Sequence, residues 1–165
     1  MYYFAYCTFL PQNELDKYYP EAKRITKATA ANHEIEFRTA SGREDRGWCH
    51  LAGVGTYGKY ARGEVIEIND DRIYGDFDDF EIFFITVKGD DGNYYDCFTF
   101  RLTDPGKRMR PPNYYWERIP RGFAEREFEE EYQQHIQAVF ENSAECPDFD
   151  HPMPAGGPGV SADSR

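Results

Sequence analysis

The first ten residues constrain this chain more than any other stretch. Tyr2-Tyr3-Phe4-Ala5-Tyr6-Cys7-Thr8-Phe9-Leu10 carries no charge, and aromatic or apolar side chains occupy both of its parities. A strand with one wet face alternates, whereas an unbroken run fits a strand covered on both faces. Pro11 ends the run, and Gln12-Asn13-Glu14-Leu15-Asp16-Lys17 reads as a short polar helix. Pro suits such an entry, because a first helical turn has no use for its missing N–H. Strand, tight turn and helix start together gather free backbone N–H groups beside the positive end of a helix dipole. Such a point suits an anion or a developing oxyanion. The run starts at residue 2, so no signal peptide is expected ahead of it.

Downstream, Asn32–Arg38 alternates as a strand, 39–47 is polar and Gly-containing, and Trp48–Gly55 is a further strand with small residues. Tyr57–Gly63 reads as a turn region and Glu64–Ile68 as a clean strand. Asn69–Glu81 is an acidic centre, with Asn69 or Asp70 a candidate helix cap and Gly75 a breaker. Ile82–Val87 and Tyr94–Leu102 flank Lys88-Gly89-Asp90-Asp91-Gly92-Asn93, which predicts a β-hairpin with an Asp-Gly turn. A long loop follows from Asp104. Trp116–Asn142 has the apolar spacing of a helix, split near Pro120 and Gly122. Residues 145–165, rich in Pro, Gly, Ser and Asp, read as a disordered tail behind a domain of residues 1–144.

A chain of 165 residues suffices for one domain with a real core, and its 13 Tyr and 13 Phe predict an aromatic one. The net charge of −11 repels phosphate backbones and anionic lipid, so neither nucleic acid nor membrane is an expected partner. The basic patches Lys107-Arg108-Met109-Arg110 and Lys23-Arg24 read as solvated loop and helix end. Cys7, Cys49, Cys97 and Cys146 form no CxxC pair, and reduced thiols in a cytoplasm are the simplest expectation. His33, His50, His135 and His151 show no metal-ligand spacing. The order of elements predicts α+β, with a mixed sheet or small barrel.

Tyr3-Phe4-Ala5-Tyr6-Cys7-Thr8-Phe9-Leu10 resembles the opening of the gamma-glutamylcyclotransferase-like (AIG2-like) family, whose first strand ends in Tyr-Gly-Ser-Asn-Leu or Tyr-Gly-Thr-Leu. Tyr6, Thr8 and Leu10 fit; Cys7 replaces the family's Gly. Gly63-Glu64-Val65-Ile66-Glu67-Ile68 resembles the family's central strand, and Phe77-Asp78-Asp79-Phe80-Glu81 its Leu-Asp-x-x-Glu motif. Pro112-Asn113-Tyr114-Tyr115, with Ile119, Gly122, Glu125, Phe128 and Tyr132, resembles its late Pro-x-x-Tyr segment and last helix. The resemblance spans residues 2–140. It implies a mixed β-barrel with peripheral helices, no cofactor, no metal, and a small-molecule substrate.

It also implies a reaction. The α-amine of a γ-glutamyl compound attacks its own γ-carbonyl, 5-oxoproline closes, and an amine leaves. One carboxylate can take the first proton and deliver the second if burial and like-charged neighbours raise its pKa. The resemblance assigns this to Glu81. Ile82 follows where the family has Gly and a longer link, so Asp78 or Asp79 is an alternative, and an ordinary strand-start carboxylate is the plain one. Amides around Cys7, Thr8, Phe9 and Leu10 would hold the oxyanion or substrate carboxylate. Tyr6 is either a hydroxyl for substrate or a core aromatic, and Tyr114 or Tyr115 either closes the pocket or packs. Cys7 beside a helix start is an alternative nucleophile for an amidase or acyltransferase, against a buried inert thiol. A non-catalytic ligand-binding module is the third class of function.

Overall fold

The computed structural model describes residues 1–53, 55, 57–69 and 79–152. The amino-terminal run forms β1 (Tyr2–Ala5), and burial covers both of its parities, as its composition requires. It lies between β5 (Tyr60–Glu67), antiparallel with Ala5 opposite Glu64, and β7 (Tyr94–Leu102), parallel with Tyr3 opposite Phe98. With β2 (Lys23–Ala31) and β6 (Phe80–Gly89) these close a barrel in the order β1-β5-β2-β6-β7. A second sheet of three strands, β4-β3-β8, combines β3 (His33–Ala40), β4 (Arg43–Gly53) and β8 (Pro105–Arg108). The α+β barrel expected from sequence is the observed architecture.

Phe4 shows how tightly β1 is seated. Its side chain is fully buried, worth roughly 2–3 kcal/mol of transfer free energy. Its ring passes over Gly63, where a Cβ would lie 2.6 Å from Phe4 Cε1 and 2.5 Å from the Ala5 carbonyl. Only glycine lets β5 come this close. The buried Thr99 hydroxyl then donates to Phe4 O at 2.7 Å, tying β7 to β1 from the other side.

The expected hairpin is present, with β6 and β7 in register from Phe80 opposite Leu102 to Lys88 opposite Tyr94. Gly92 takes φ +88° in its turn, and Asp91 Oδ1 accepts the Asn93 N–H at 3.0 Å. Other boundaries differ from expectation. Lys23–Ala31, with Lys23-Arg24 expected at a helix end, is a full strand, because β5 and β6 pair with it on its two sides. Arg43–Gly47 extends β4, and Tyr60–Gly63 extends β5. Pro105–Arg108 adds a short edge to β3 within the expected loop.

The predicted helix over Trp116–Asn142 is two, α3 (Arg118–Glu125) and α4 (Glu130–Glu141), and α2 (Asn113–Trp116) precedes them in the expected loop. The chain breaks after Glu125, where Glu127 turns to φ +55°, and both Pro120 and Gly122 lie inside α3. Phe37 of β3 meets Trp116 and Phe140, which stack at 4.0 Å, so α2 and α4 cover the second sheet. Residues 145–152, expected in the tail, instead pack back. Cys146 is buried, Phe149 touches Phe140, and Phe149 O accepts the Asn113 N–H at 2.7 Å. The expected cap at Asp70, the breaker Gly75 and residues 153–165 lie outside the described residues. No helix among the described residues is long and apolar enough to cross a membrane.

Candidate functional site

Beyond β1 the chain turns, and Leu10 donates its N–H to Cys7 O at 3.3 Å. Thr8 and Phe9 are the central residues of this turn, and their own N–H groups take no part in the bond that closes it. The turn walls a cavity of about 40 Å³ lined by Tyr3, Tyr6, Cys7, Thr8, Phe9, Cys49, Phe80, Phe100 and Tyr115. Four of the five expected loop residues thus share one hollow with Tyr115. Leu10 does not line it: its side chain is fully buried, and its carbonyl accepts from Arg24 Nη2 at 2.7 Å.

The helix start contributes differently from expectation. α1 (Gln12–Asp16) is five residues long, and its first amide is already used. Gln12 N–H donates to Glu125 Oε2 at 2.7 Å, so a carboxylate of the protein itself occupies the position expected for a bound anion. What remains for a ligand is the turn.

Polar groups of the cavity wall are largely committed. Tyr6 donates its hydroxyl to the Phe100 carbonyl. Burial, reinforced by Tyr115 and Tyr3, pushes its pKa well above the ordinary tyrosine range, so it stays a donor. The Tyr115 hydroxyl accepts the Cys49 N–H at 3.1 Å and stands 3.6 Å from Cys7 Sγ. Tyr114 is not among the residues lining the cavity, and Arg118 lies 5.8 Å over its ring.

Cys7 and Cys49 are joined in a disulfide with Cα atoms 6.7 Å apart. This corrects the expectation of reduced thiols throughout, and a disulfide sulfur has no thiolate to serve as a nucleophile. Sequence alone offered no reason to pair residues 42 positions apart on different sheets. Cys97 and Cys146 are free and buried, and burial pushes the Cys97 thiol up to about 12.

Glu81 stands near the start of β6, one residue from Phe80, but is not among the residues lining the cavity. Its Oε1 accepts from Arg101 Nε at 2.8 Å, and its side chain is 40% exposed. Its partner Arg101 follows the cavity-lining Phe100 on β7. Glu81 and Arg101 also act on His50, which is buried on β4 and whose Nδ1 accepts the Leu102 N–H at 3.2 Å. Asp78 lies outside the described residues. Asp79 Oδ2 is buried with no hydrogen-bond partner among them. No described group of His, Cys, Asp and Glu is arranged to hold a metal ion.

No family model and no curated protein matches the sequence. Solved structures do match. A gamma-glutamyl cyclotransferase superposes over 94% of both chains with a TM-score of 0.79 at 18% identity. The chain has the gamma-glutamyl cyclotransferase fold. An uncharacterized protein from Homo sapiens matches over 83% of this chain and 86% of its own, with a TM-score of 0.72 at 19% identity. YkqA from Bacillus subtilis matches at 21% identity and the same TM-score over 88% of this chain, which spans 55% of YkqA. The closed barrel, the second sheet and the helices α2 to α4 match the gamma-glutamyl cyclotransferase fold. Sequence reasoning reached the turn and Tyr115 but missed Tyr3, Cys49, Phe80 and Phe100. Only the parity of a buried strand marked them, and parity does not say which buried residues border a hollow.

Proposed function

We propose that this chain is an enzyme of the gamma-glutamyl cyclotransferase type, which closes a small γ-glutamyl amine or amide to 5-oxoproline and releases the amine. The observation that carries this is the cavity walled by the Tyr6–Phe9 turn on this fold, with Glu81 next in the chain to the cavity-lining Phe80. Substrate enters against the turn, where the Thr8 and Phe9 amides receive its oxyanion or carboxylate. Its α-ammonium draws Glu81 from Arg101. The Glu81 carboxylate takes one ammonium proton, the free amine attacks the γ-carbonyl, the same carboxyl gives that proton to the leaving nitrogen, and the second proton shed by the attacking nitrogen on ring closure departs with the released amine as its ammonium.

The test is release of 5-oxoproline from a panel of γ-glutamyl amines, comparing the natural protein with Glu81→Gln. Loss of roughly 10²-fold or more with folding intact supports the role. Full activity in Glu81→Gln would move it to another group, Asp79 first.

One observation favours a second reading. None of the described residues lining the cavity is a carboxylate, and most are aromatic. A ligand-binding module without catalysis fits that lining. Retained binding of 5-oxoproline with no turnover of any γ-glutamyl compound would select it.

A further inference from the structure

Cyclisation makes no use of one chemical feature in the cavity wall, the bond between Cys7 and Cys49. Cys7 belongs to the turn after β1 and Cys49 to β4. These strands do not pair: β1 joins β5 and β7 in the barrel, and β4 joins β3 in the second sheet. The disulfide is therefore a covalent tie between sheets, placed at the cavity. Cys7 is 9% exposed and Cys49 2%, so an incoming nucleophile meets Cys7 first. The turn has non-covalent ties at its two ends. Tyr6 bonds Phe100 O at one end, and Arg24 holds Leu10 O at the other. Phe9 is held by weaker contacts as well, its carbonyl 3.5 Å from Arg24 Nη2 and its ring against Tyr3, Tyr18 and Tyr19. The disulfide is the covalent tie, at Cys7, in the part of the turn that walls the cavity.

We propose that the Cys7–Cys49 bond is an exchange site for a small-molecule thiol, and that exchange unlatches the turn and enlarges the cavity. The thiolate of the small molecule attacks Cys7 Sγ, the sulfur–sulfur bond breaks, and Cys49 leaves as a thiolate that takes a proton from water. A second thiol attacks the mixed disulfide and releases the small molecule as its own disulfide. Two thiols are oxidised to one disulfide while one cystine becomes two cysteines. The buried thiols Cys97 and Cys146, both held above the ordinary range by burial, take no part. The proposal rests on the reading above only for what the enlarged cavity would admit.

The test uses the oxidised full chain and 2-mercaptoethanol. After brief treatment and an acid quench, peptide mapping should find the adduct on Cys7 and none on Cys49, Cys97 or Cys146. In fully reduced, folded protein, hydrogen exchange at amides 7–10 should be roughly tenfold faster than in oxidised protein, with β6 and β7 unchanged. An adduct on Cys49 in place of Cys7, no adduct on the folded protein, or unchanged exchange on reduction would each overturn the proposal. Cys49→Ser should show the fast exchange with no reductant; if that variant does not fold, the natural protein under reduction decides. Neither readout involves a γ-glutamyl compound, so failure of cyclisation and failure of the latch are separate results.

Discussion

Arg101 stands directly across from Glu81 in the β6–β7 register, and its Nε–H donates to Glu81 Oε1 at 2.8 Å. The same guanidinium lies 4.1 Å over the Phe83 ring. The pair is half-open to water, with 33% and 40% of the two side chains exposed. Exposed pairs contribute about 0–1 kcal/mol, so the contact adds little to the stability of the fold. Arg101→Met should change stability in urea by less than about 1 kcal/mol and leave 5-oxoproline release intact, because Glu81 remains. Loss of release with folding intact would make Arg101 part of the chemistry.

Glu64 is the contrasting case. It is buried on β5 opposite Ala5, and Arg126 grips it with two bonds of 2.9 Å. Arg24 lies 3.4 Å away with Nη2 on Leu10 O. Removing the carboxylate leaves buried positive charge without its counter-ion, which costs about 3–5 kcal/mol. Glu64→Gln should lose that much in a denaturant titration, and amides at Leu10 should exchange faster.

Gly122 of α3 lies against the end of the turn. A Cβ there would sit 2.7 Å from Leu10 Cβ and 2.9 Å from Pro11 Cδ. Backbone and a proline ring do not yield as a flexible side chain would. Gly122→Ala should cost about 1–3 kcal/mol despite its better helix propensity. The same substitution on an open helix face would stabilise, so the sign alone checks the packing.

His50 couples stability to pH. Burial holds its pKa below the ordinary imidazole value, and Arg101 and Arg38 push in the same direction. Its Nδ1 must be unprotonated to accept the Leu102 N–H. The unfolded chain therefore binds a proton more readily than the folded one. This contribution is fully present above the unfolded value of about 6.5 and is lost as pH falls through the lower folded value. Unfolding free energy should decline below about pH 6.5, and His50→Gln should flatten that part of the profile.

How far the sequence carried this fold follows from where the forces are local. The hairpin was legible because Asp-Gly chemistry and two apolar runs agree within twenty-odd residues of chain. The turn after β1 was legible because an uncharged run stops at a proline. β2 was not, because Lys23 to Ala31 reads as polar and is made a strand by partners from β5 and β6. The disulfide was not, because its halves meet only when the two sheets pack. Glu125 at the start of α1 was hidden for the same reason: it arrives from α3, more than a hundred residues later.

The most direct test is a crystal structure of the protein with 5-oxoproline bound. The expected result places the product in the cavity beside Tyr115, its carboxylate on the Thr8 and Phe9 amides, and Glu81 turned from Arg101 to the lactam nitrogen. Product bound elsewhere, or bound there with Glu81 still on Arg101, would contradict the proposed role of that carboxylate.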